Sequence, residues 1–260
     1  MSQTKTAVIT GSTSGIGLGI AKALAATGAN VVLNGIEPEA EVQEIIRDLQ
    51  RDYGVEVKYC NANLMKAAGV NELIAKAHHA FGTVDILVNN AGIQFVSPVE
   101  DFPEDKWEAI IALNLSAAFY SSKAVIAQMK AQKWGRIINI ASAHALVASP
   151  YKSAYVAAKH GLLGFTKSIA LEAAESGVTV NAICPGYVWT PLVEKQIPDT
   201  AKARGLTEEE VKRDVLLAAQ PNKRFAKIEE IAALAVFLVS DGAASITGSA
   251  LPVDGGWTAH

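Results

Sequence analysis

Residues 5–27 read KTAVITGSTSGIGLGIAKALAAT. The apolar run at 5–10 is typical of a short buried strand, and an apolar helical pattern follows the glycines and continues to about residue 27. Between the two lies a turn, residues 11–17, with the spacing G-x-x-x-G-x-G. A strand, a glycine turn and a helix start in this order predict the first βα unit of a parallel sheet.

The glycine turn predicts a site for a ligand that carries phosphates. Glycines let the backbone approach a pyrophosphate closely, and the helix N-terminus offers unpaired N–H groups and a partial positive charge. The turn lacks the Gly-Lys-Ser/Thr ending of a P-loop, so nucleoside triphosphate hydrolysis is not expected. A glycine turn alone is weak evidence, and its position after the first strand of a βα series is what favours a cofactor.

Strand-like runs alternate with helical periodicity along the rest of the chain. Further strands are predicted at 31–34, 55–60, 84–89, 136–141, 178–183 and 250–253. Apolar residues recur at helical spacing in the segments between them, as at 42–49, 70–77 and 231–238. We therefore predict an α/β fold, a single doubly wound parallel sheet of the Rossmann type with helices on both faces and ligands at the carboxyl ends of the strands. Residues 187–220 break the alternation and are predicted to form a helical lid over the site.

The composition is typical of a soluble globular protein. Half of the 260 residues are hydrophobic and no linker or repeat is evident, so one domain over residues 1–260 is predicted. Residues 1–6 lack a signal-peptide core and no apolar stretch of membrane-spanning length stands out, so we expect a cytoplasmic protein without a membrane partner. A net charge of −3 argues against nucleic acid as a partner. Cys60 and Cys184 stand among apolar residues and are expected to be buried free thiols.

A second informative stretch is residues 142–159, SAHALVASPYKSAYVAAK. On the helix predicted there, Tyr155 and Lys159 lie at i and i+4 on one face, so an ammonium can sit beside a phenol. The positive charge is expected to lower the phenol pKa from its usual value of about 10, which would let Tyr155 act as a base. Ser142, at the end of a predicted strand, could hydrogen-bond the same substrate oxygen. Taken alone, the Tyr–Lys pair is far more typical of an ordinary surface helix than of a catalytic site.

Taken together, these motifs resemble those of the short-chain dehydrogenase/reductase family over the whole chain. They are, in order, TGSTSGIG at 10–17, NNAG at 89–92, Asn114, Ser142, the Tyr155–Lys159 pair, and Pro185 with Gly186. The resemblance implies that Tyr155 is the general base, that Lys159 lowers its pKa and binds the nicotinamide ribose, and that Ser142 holds the substrate oxygen. It further implies that Asn114 positions a water linking Lys159 to solvent. No metal is expected.

The same resemblance implies a nicotinamide dinucleotide site that draws on most of the strand ends. Its expected residues, besides Tyr155 and Lys159, are Gly11, Thr13, Ser14, Gly15, Ile16, Gly17, Ile36, Asn63, Leu64, Asn90, Ala91, Gly92, Pro185, Gly186, Val188 and Thr190.

The end of the second predicted strand bears on the choice between NAD and NADP. Family members that use NAD commonly carry an acidic residue at the position of Gly35, and this chain does not. No Arg or Lys stands nearby to hold a 2′-phosphate, and Ile36 is expected to pack against adenosine. Asn63 replaces a frequent Asp, and its side-chain carbonyl can accept the same hydrogen bond from adenine. We predict NAD as the cofactor.

Several segments most resemble family members that oxidise D-3-hydroxybutyrate: IINIASAHALVAS, KSAYVAAKHG, TPLVEKQI and DGGWTA. The resemblance implies a small 3-hydroxy acid as substrate, bound at Ser142 and Tyr155, with its carboxylate held by four polar side chains, Gln94, His144, Lys152 and Gln196. Trp257 would close the apolar side of the pocket. Tyr187, also expected in the pocket, replaces a tryptophan and Phe95 replaces a histidine, so the chain-length preference stays open.

Two other functions remain open at this point. A 3-oxoacyl-thioester reductase of the same family shares the catalytic residues but uses NADPH, and the basic residues for its cofactor phosphate are missing here. A cofactor-binding scaffold without activity would be expected to lack Tyr155 or Lys159, and both are present. The family is usually tetrameric, and the apolar helices predicted at 104–132 and 153–175 suit a helix-on-helix interface, so a homotetramer is predicted.

Overall fold

A computed structural model describes residues 4–190, 193–194, 197–198, 201–202 and 205–259. The seven predicted strands are confirmed and form one parallel sheet. They are β1 (Thr6–Ile9), β2 (Asn30–Asn34), β3 (Val57–Cys60), β4 (Ile86–Asn89), β5 (Gly135–Ile140), β6 (Val178–Pro185) and β7 (Ala250–Val253).

Helices connect successive strands. They are α1 (Gly15–Ala26), α2 (Glu39–Tyr53), α3 (Ala67–Phe81), α4 (Glu104–Ile111), α5 (Ala117–Ala131), α6 (Ser153–Ala173), α7 (Glu208–Glu210) and α8 (Ile228–Val239). A π-helical turn, Ala112–Ser116, joins α4 to α5, so the helix predicted at 104–132 is continuous but locally widened. A second π-helical turn, Val211–Leu216, follows α7.

The sheet is buried on both faces because every connection between parallel strands carries a helix across it. Along β1, Ala7 and Ile9 point into the cluster formed with α1, α2 and α8, whereas Val8 belongs to the cluster formed with α3, α5 and α6. The strand order is β3-β2-β1-β4-β5-β6-β7, so the chain crosses from one side of β1 to the other after β3. Ligands bind at such a switch point in doubly wound folds.

Within the lid predicted at 187–220, the structure describes helical residues at 193–194, 197–198, 201–202 and 208–216, whereas 187–190, 205–207 and 217–220 are not helical, so the lid is helical only in part. Ile197, Ala201 and Val211 are buried together in a small apolar cluster of their own. The lid therefore has an independent packing centre beside the main core.

One helical stretch departs from the sequence expectation about membranes. Residues 104–131 are long and apolar enough to span a bilayer by length and composition, with a mean hydropathy of 1.4 in the most apolar window. One such helix is weak evidence for a membrane span, because a core helix passes the same test. The stretch packs on α3 and α6 and contains the buried polar side chain of Asn114, as a core helix does.

Candidate active site

The predicted site residues that the structure describes gather at the carboxyl ends of the strands. The glycine turn follows β1, Ile36 follows β2, and Asn63 and Leu64 follow β3. Asn90–Gly92 follow β4, Ser142 and His144 follow β5, the segment from Gly186 to Thr190 follows β6, and Trp257 follows β7. Parallel strands bring all these loops to one edge of the sheet.

The glycine turn has the geometry of a phosphate cradle. Gly11 and Gly15 adopt positive φ angles of 58° and 55°, which residues with a Cβ rarely adopt. A Cβ on Gly17 would collide with the carbonyl oxygen of Gly11 and the amide of Asn90. Ser14 begins α1 without a side-chain cap, so the first N–H groups of the helix are free to bind an anion. These residues fit the pyrophosphate of a dinucleotide.

Asn90 holds this turn against β4. Its side-chain amide donates to the carbonyl oxygens of Thr10 (3.0 Å) and Gly11 (2.8 Å), and the Thr10 hydroxyl accepts from the backbone N–H groups of Asn90 and Ala91 at 2.9 and 3.0 Å. On the other side of the site, Thr190 reaches the turn, since a Cβ on Gly15 would lie 3.9 Å from its methyl group. The cradle is thus closed by loops from both halves of the sheet.

Tyr155 and Lys159 lie on one face of α6, as predicted. The Lys159 Nζ is 5.5 Å from the centre of the Tyr155 ring and donates a hydrogen bond of 2.8 Å to the Ile140 carbonyl oxygen at the end of β5. Ser142 hydrogen-bonds Tyr155, and its hydroxyl also accepts from the His144 backbone N–H at 3.1 Å. The structure therefore brings the predicted catalytic serine, tyrosine and lysine together.

The pKa of Tyr155 differs from the expectation. Desolvation raises the pKa of its phenol above 10.0, and the hydrogen bond with Ser142 opposes that effect only in part. Desolvation also lowers the pKa of the Lys159 ammonium from 10.5 to about 8. Desolvation therefore decides the direction of the shift in the phenol pKa, opposite to the direction expected from the sequence, and the lowering effect of Lys159 stays a prediction.

Asn114 lies in the π-helical turn beside the lysine. Its side-chain oxygen accepts from the Ile93 backbone N–H at 2.8 Å and its amide donates to the Ile93 carbonyl oxygen at 2.9 Å. A small cavity of about 10 Å³ touches both Asn114 and Lys159, which is roughly the room that one water molecule needs. The extra residue of a π turn widens a helix locally and is frequent at functional sites.

An aromatic pocket adjoins Tyr155. The His144 ring lies between Tyr155 and Trp257, with ring centres 6.0 and 5.0 Å away. Tyr187 stacks on Trp257 at 5.8 Å, and its hydroxyl accepts a hydrogen bond from the Lys152 ammonium at 3.4 Å. Lys152 therefore places a cation at the edge of this group of aromatic rings.

His144 is a buried side chain whose Nε2 has no hydrogen-bond partner within the described part of the chain. Desolvation, together with the positive charge of Lys152, lowers its pKa from 6.5 to about 4. The imidazole is therefore neutral at physiological pH and can donate or accept one further hydrogen bond. This nitrogen is therefore open to a hydrogen bond with a ligand or a water molecule.

The remaining predicted residues take varied positions. Gln94 is exposed, and Gln196 lies outside the described residues. Leu64 and Val188 are buried, whereas the Ile36 side chain is 78 % exposed. The Asn63 side-chain oxygen accepts from the Met65 N–H at 3.0 Å, which leaves it one lone pair for adenine.

Three polar residues at the site escaped the sequence analysis. Glu37 folds back over Gly35 at the end of β2 and contacts Thr13. The buried Gln220 accepts from the Tyr187 backbone N–H and donates to the Arg224 carbonyl oxygen, which fixes the loop after β6. The Asp254 carboxylate accepts from the N–H groups of Gly256 and Thr258 and so orients Trp257. The only signal in the sequence was an acid just beyond a strand end, in Glu37 and in Asp254.

Comparison with known proteins agrees with this geometry. The family model described as "Enoyl-(Acyl carrier protein) reductase", a short-chain dehydrogenase model, matches residues 11–258. The chain is 57 % identical to D-beta-hydroxybutyrate dehydrogenase of Rhizobium meliloti (strain 1021), covering 99 % of this chain and all of that one. It is 53 % identical to the protein of the same name from Cupriavidus necator, covering 98 % of each chain.

A solved structure with the same fold is L-sorbose reductase from Gluconobacter frateurii, in complex with NADPH and L-sorbose. It superposes with a TM-score of 0.94 at 34 % identity and covers 99 % of this chain and 98 % of its own. The family model and the two relatives match the chain over nearly its full length, and on this ground the chain belongs to the short-chain dehydrogenase/reductase family, whose members are oxidoreductases that bind a nicotinamide cofactor.

Proposed function

We propose that this protein oxidises D-3-hydroxybutyrate reversibly to acetoacetate with NAD, as a cytoplasmic homotetramer. The observation that carries the substrate proposal is the neutral, buried His144, whose Nε2 lacks a partner in the described structure and whose ring lies beside Tyr155. The names of the relatives at 57 % and 53 % identity support the same substrate.

A short acid fits this pocket. The Lys152 ammonium supplies the charge for a carboxylate, and the His144 imidazole can donate one hydrogen bond to it. Trp257 and Tyr187 offer apolar ring faces for the methyl group. The exposed Gln94 remains a proposed further donor.

The chemistry proceeds at the Tyr155 hydroxyl. Tyr155 first gives up its own proton toward Lys159, and as a phenolate it then takes the proton of the C3 hydroxyl while Ser142 holds that oxygen and C3 loses a hydride as its C–O bond becomes a carbonyl. NAD, when bound, supplies the acceptor for that hydride. Lys159, beside the cavity that it shares with Asn114, passes the proton toward solvent. After the C3 hydroxyl has lost its proton and C3 its hydride, the product leaves as the keto acid.

The cofactor is held, in this proposal, by the residues predicted for it. The free N–H groups at the start of α1 bind the pyrophosphate, and the loop at Asn90–Gly92 forms the floor below the nicotinamide. Lys159 also binds the nicotinamide ribose.

Replacing Lys152 by Ala tests the substrate. Loss of the charged partner should lower kcat/KM for 3-hydroxybutyrate by roughly 30- to 5,000-fold, mostly through KM, since this contact exists in the ground state as well. The methyl ester, which has no charge to lose, should be a poor substrate of both forms. Lys167→Ala, an exposed lysine on α6, the helix that Lys152 immediately precedes, serves as the control.

Two outcomes would count against this function. Equal turnover of acid and ester by the wild type would remove the hydroxy-acid assignment while leaving the dehydrogenase. Efficient reduction of 3-oxoacyl thioesters with NADPH would favour the thioester reductase instead.

Replacing Tyr155 by Phe tests the base. The variant should lose at least about 100-fold in kcat yet bind NAD with nearly unchanged affinity, because only the proton-transfer oxygen is removed. Calorimetric titration with NAD and steady-state kinetics together separate the two effects. An inactive wild type that still binds NAD would instead support a scaffold.

A further inference from the structure

A cavity of about 610 Å³ lies between the π-helical turn that follows α7 and the loop that leads into α8. Its apolar lining comes from Trp189, Leu217, Phe225 and Ile228. Leu217 is buried, and the rings of Trp189 and Phe225 meet edge to face with their centres 5.2 Å apart. Pockets for small molecules have volumes of about 300 to 1,000 Å³ and are lined mainly by apolar and aromatic side chains. The size and the lining of this cavity therefore fit a small organic ligand.

The cavity is separate from the site that carries Tyr155. None of its described lining residues is among those predicted to bind cofactor or substrate. The two regions share only the segment 187–189, in which Tyr187 stacks on Trp257 in the aromatic pocket and Trp189 lines the cavity. This segment is held from the cavity side, because the Trp189 N–H donates to the Ala226 carbonyl oxygen and the Ala226 N–H to the Tyr187 carbonyl oxygen, both at 2.9 Å.

The rim of the cavity is mainly cationic. Five lysines and arginines line it, against two glutamates. Three of these cations are paired with carboxylates at 2.6 to 2.8 Å. Lys223 and Lys227 have no carboxylate within 4.0 Å in the described part of the chain, and the Lys223 ammonium donates only to the carbonyl oxygens of Leu217 and Ala218, at 3.0 and 2.9 Å. An anionic group on a ligand would balance this positive charge.

The aromatic lining and the cationic rim together indicate the chemistry of the ligand. A flat ring can pack on Trp189 and Phe225, which offer aromatic surface. A phosphate beside that ring can reach the lysines and arginines of the rim, whose donors suit its oxygens. We propose that this cavity is a second ligand site, which binds a planar aromatic ring that carries a phosphate, the combination found in nucleotides. The inference is independent of the proposed function, because no residue of the cavity takes part in the proposed chemistry.

The probe has to distinguish this cavity from the glycine turn, which also fits a phosphate. The probe 1-naphthyl phosphate has a flat ring and one phosphate but no ribose. Calorimetric titration of the full-length protein with this probe should give a dissociation constant on the order of 0.1 to 1 mM. The value should stay within about 2-fold when NAD or NADP is present at a saturating concentration, because either dinucleotide would occupy the glycine turn and leave the cavity open.

Two variants locate the bound probe. Lys227→Glu reverses an exposed charge at the rim and should weaken binding by about 5- to 20-fold. Phe225→Ala removes one of the two rings and should weaken it by about 3- to 10-fold. Lys76→Glu makes the same charge reversal on the exposed side of α3, which packs on the opposite face of the sheet from α8, and should change binding by less than about 2-fold.

Two fragments of the probe test its two halves separately. Inorganic phosphate and 1-naphthol should each bind at least about 10-fold more weakly than 1-naphthyl phosphate. Equal binding of either fragment would overturn the proposal, since one of the two groups would then contribute nothing. Displacement of the probe by NAD or NADP would place it in the glycine turn, and affinities unchanged in both Lys227→Glu and Phe225→Ala would place it elsewhere. Either result would overturn the second site and leave the proposed function intact.

Discussion

The Lys159 ammonium is buried, and its desolvation disfavours the charged form. Its pKa in the folded protein is about 8, against 10.5 for an exposed lysine, because the side chain is buried between α6 and β5. Between these two values the unfolded chain binds more protons than the folded one, so stability rises as the pH increases from 8 to 10.5. Below pH 8 the fold carries the full cost of the buried charge.

Lys159→Met should therefore lose activity without a matching loss of stability. The free energy of unfolding of the wild type should increase relative to the variant by on the order of 3 kcal/mol between pH 8 and 10.5, while kcat of the variant falls by at least about 100-fold. Urea unfolding at several pH values measures the difference, with Lys167→Met on the exposed side of α6 as control. A constant difference across this range would contradict the buried charge.

The buried, neutral His144 makes the folded protein less stable at acidic pH. Its pKa is about 4 in the folded protein and 6.5 when exposed, so stability is lost progressively as the pH falls from 6.5 to 4. His144→Asn should remove on the order of 3 kcal/mol of this acid sensitivity, measured as the change in unfolding free energy between pH 7 and 4. His79→Asn, an exposed histidine on α3, should leave it unaltered.

At the scale of elements, a network of hydrogen bonds between buried amide and hydroxyl side chains connects β4 and β5 to α5 and α6. The Asn89 amide donates to the Asn139 side-chain oxygen at 2.8 Å and accepts from Ser121 at 2.6 Å, and the Asn139 amide donates to the Thr166 hydroxyl at 2.8 Å. Inside a protein, such a network is costly to leave half satisfied. It holds the two helices that carry Asn114 and Tyr155 against the sheet.

Asn139→Ala should consequently cost about 2 to 4 kcal/mol of unfolding free energy, because it strands the Asn89 amide and opens a cavity. Denaturant titration measures this loss. Gln43→Ala, which removes an exposed hydrogen bond of 3.2 Å to Glu39, should cost less than about 0.5 kcal/mol. A similar cost for both variants would mean that the network adds nothing beyond surface hydrogen bonding.

The same elements mark the limit of what the sequence could predict. Strands and helices followed from periodicity because burial repeats along each element, and the face shared by Tyr155 and Lys159 followed from helical geometry alone. The pKa of the Tyr155 phenol could not be predicted from the sequence, because it depends on how completely residues distant in the sequence exclude water from this part of α6. Glu37 escaped notice for a related reason: its side chain reverses direction over Gly35, and only the folded loop shows which volume it fills.

For the whole molecule, exposed apolar side chains on α5 and α6 support the proposed tetramer. Leu171 on α6 is 79 % exposed, and Phe119 on α5 is 45 % exposed beside Phe165. Leu171→Asp should lower the mass measured by light scattering from that of a tetramer to that of a dimer, because burying the carboxylate would be costly. Ile36→Asp, at an equally exposed apolar residue outside these helices, should not change it. A monomeric wild type would exclude the tetramer.

The crossing of the chain after β3 has a consequence for how such a protein can diversify. In the proposed function, the loops after β1, β2 and β3 bind the adenosine half of the cofactor and those after β4 to β7 carry the reaction, so each trait is encoded in one contiguous stretch of the gene. Recombination at residues 82–85 between proteins with this division would exchange coenzyme choice without altering substrate choice. The junction to preserve comprises the pairing of β1 with β4, the packing of α1 on α8 and of α3 on α5, and the hydrogen bonds from the Thr6 N–H to Asp85 and from the Asn90 amide to Gly11.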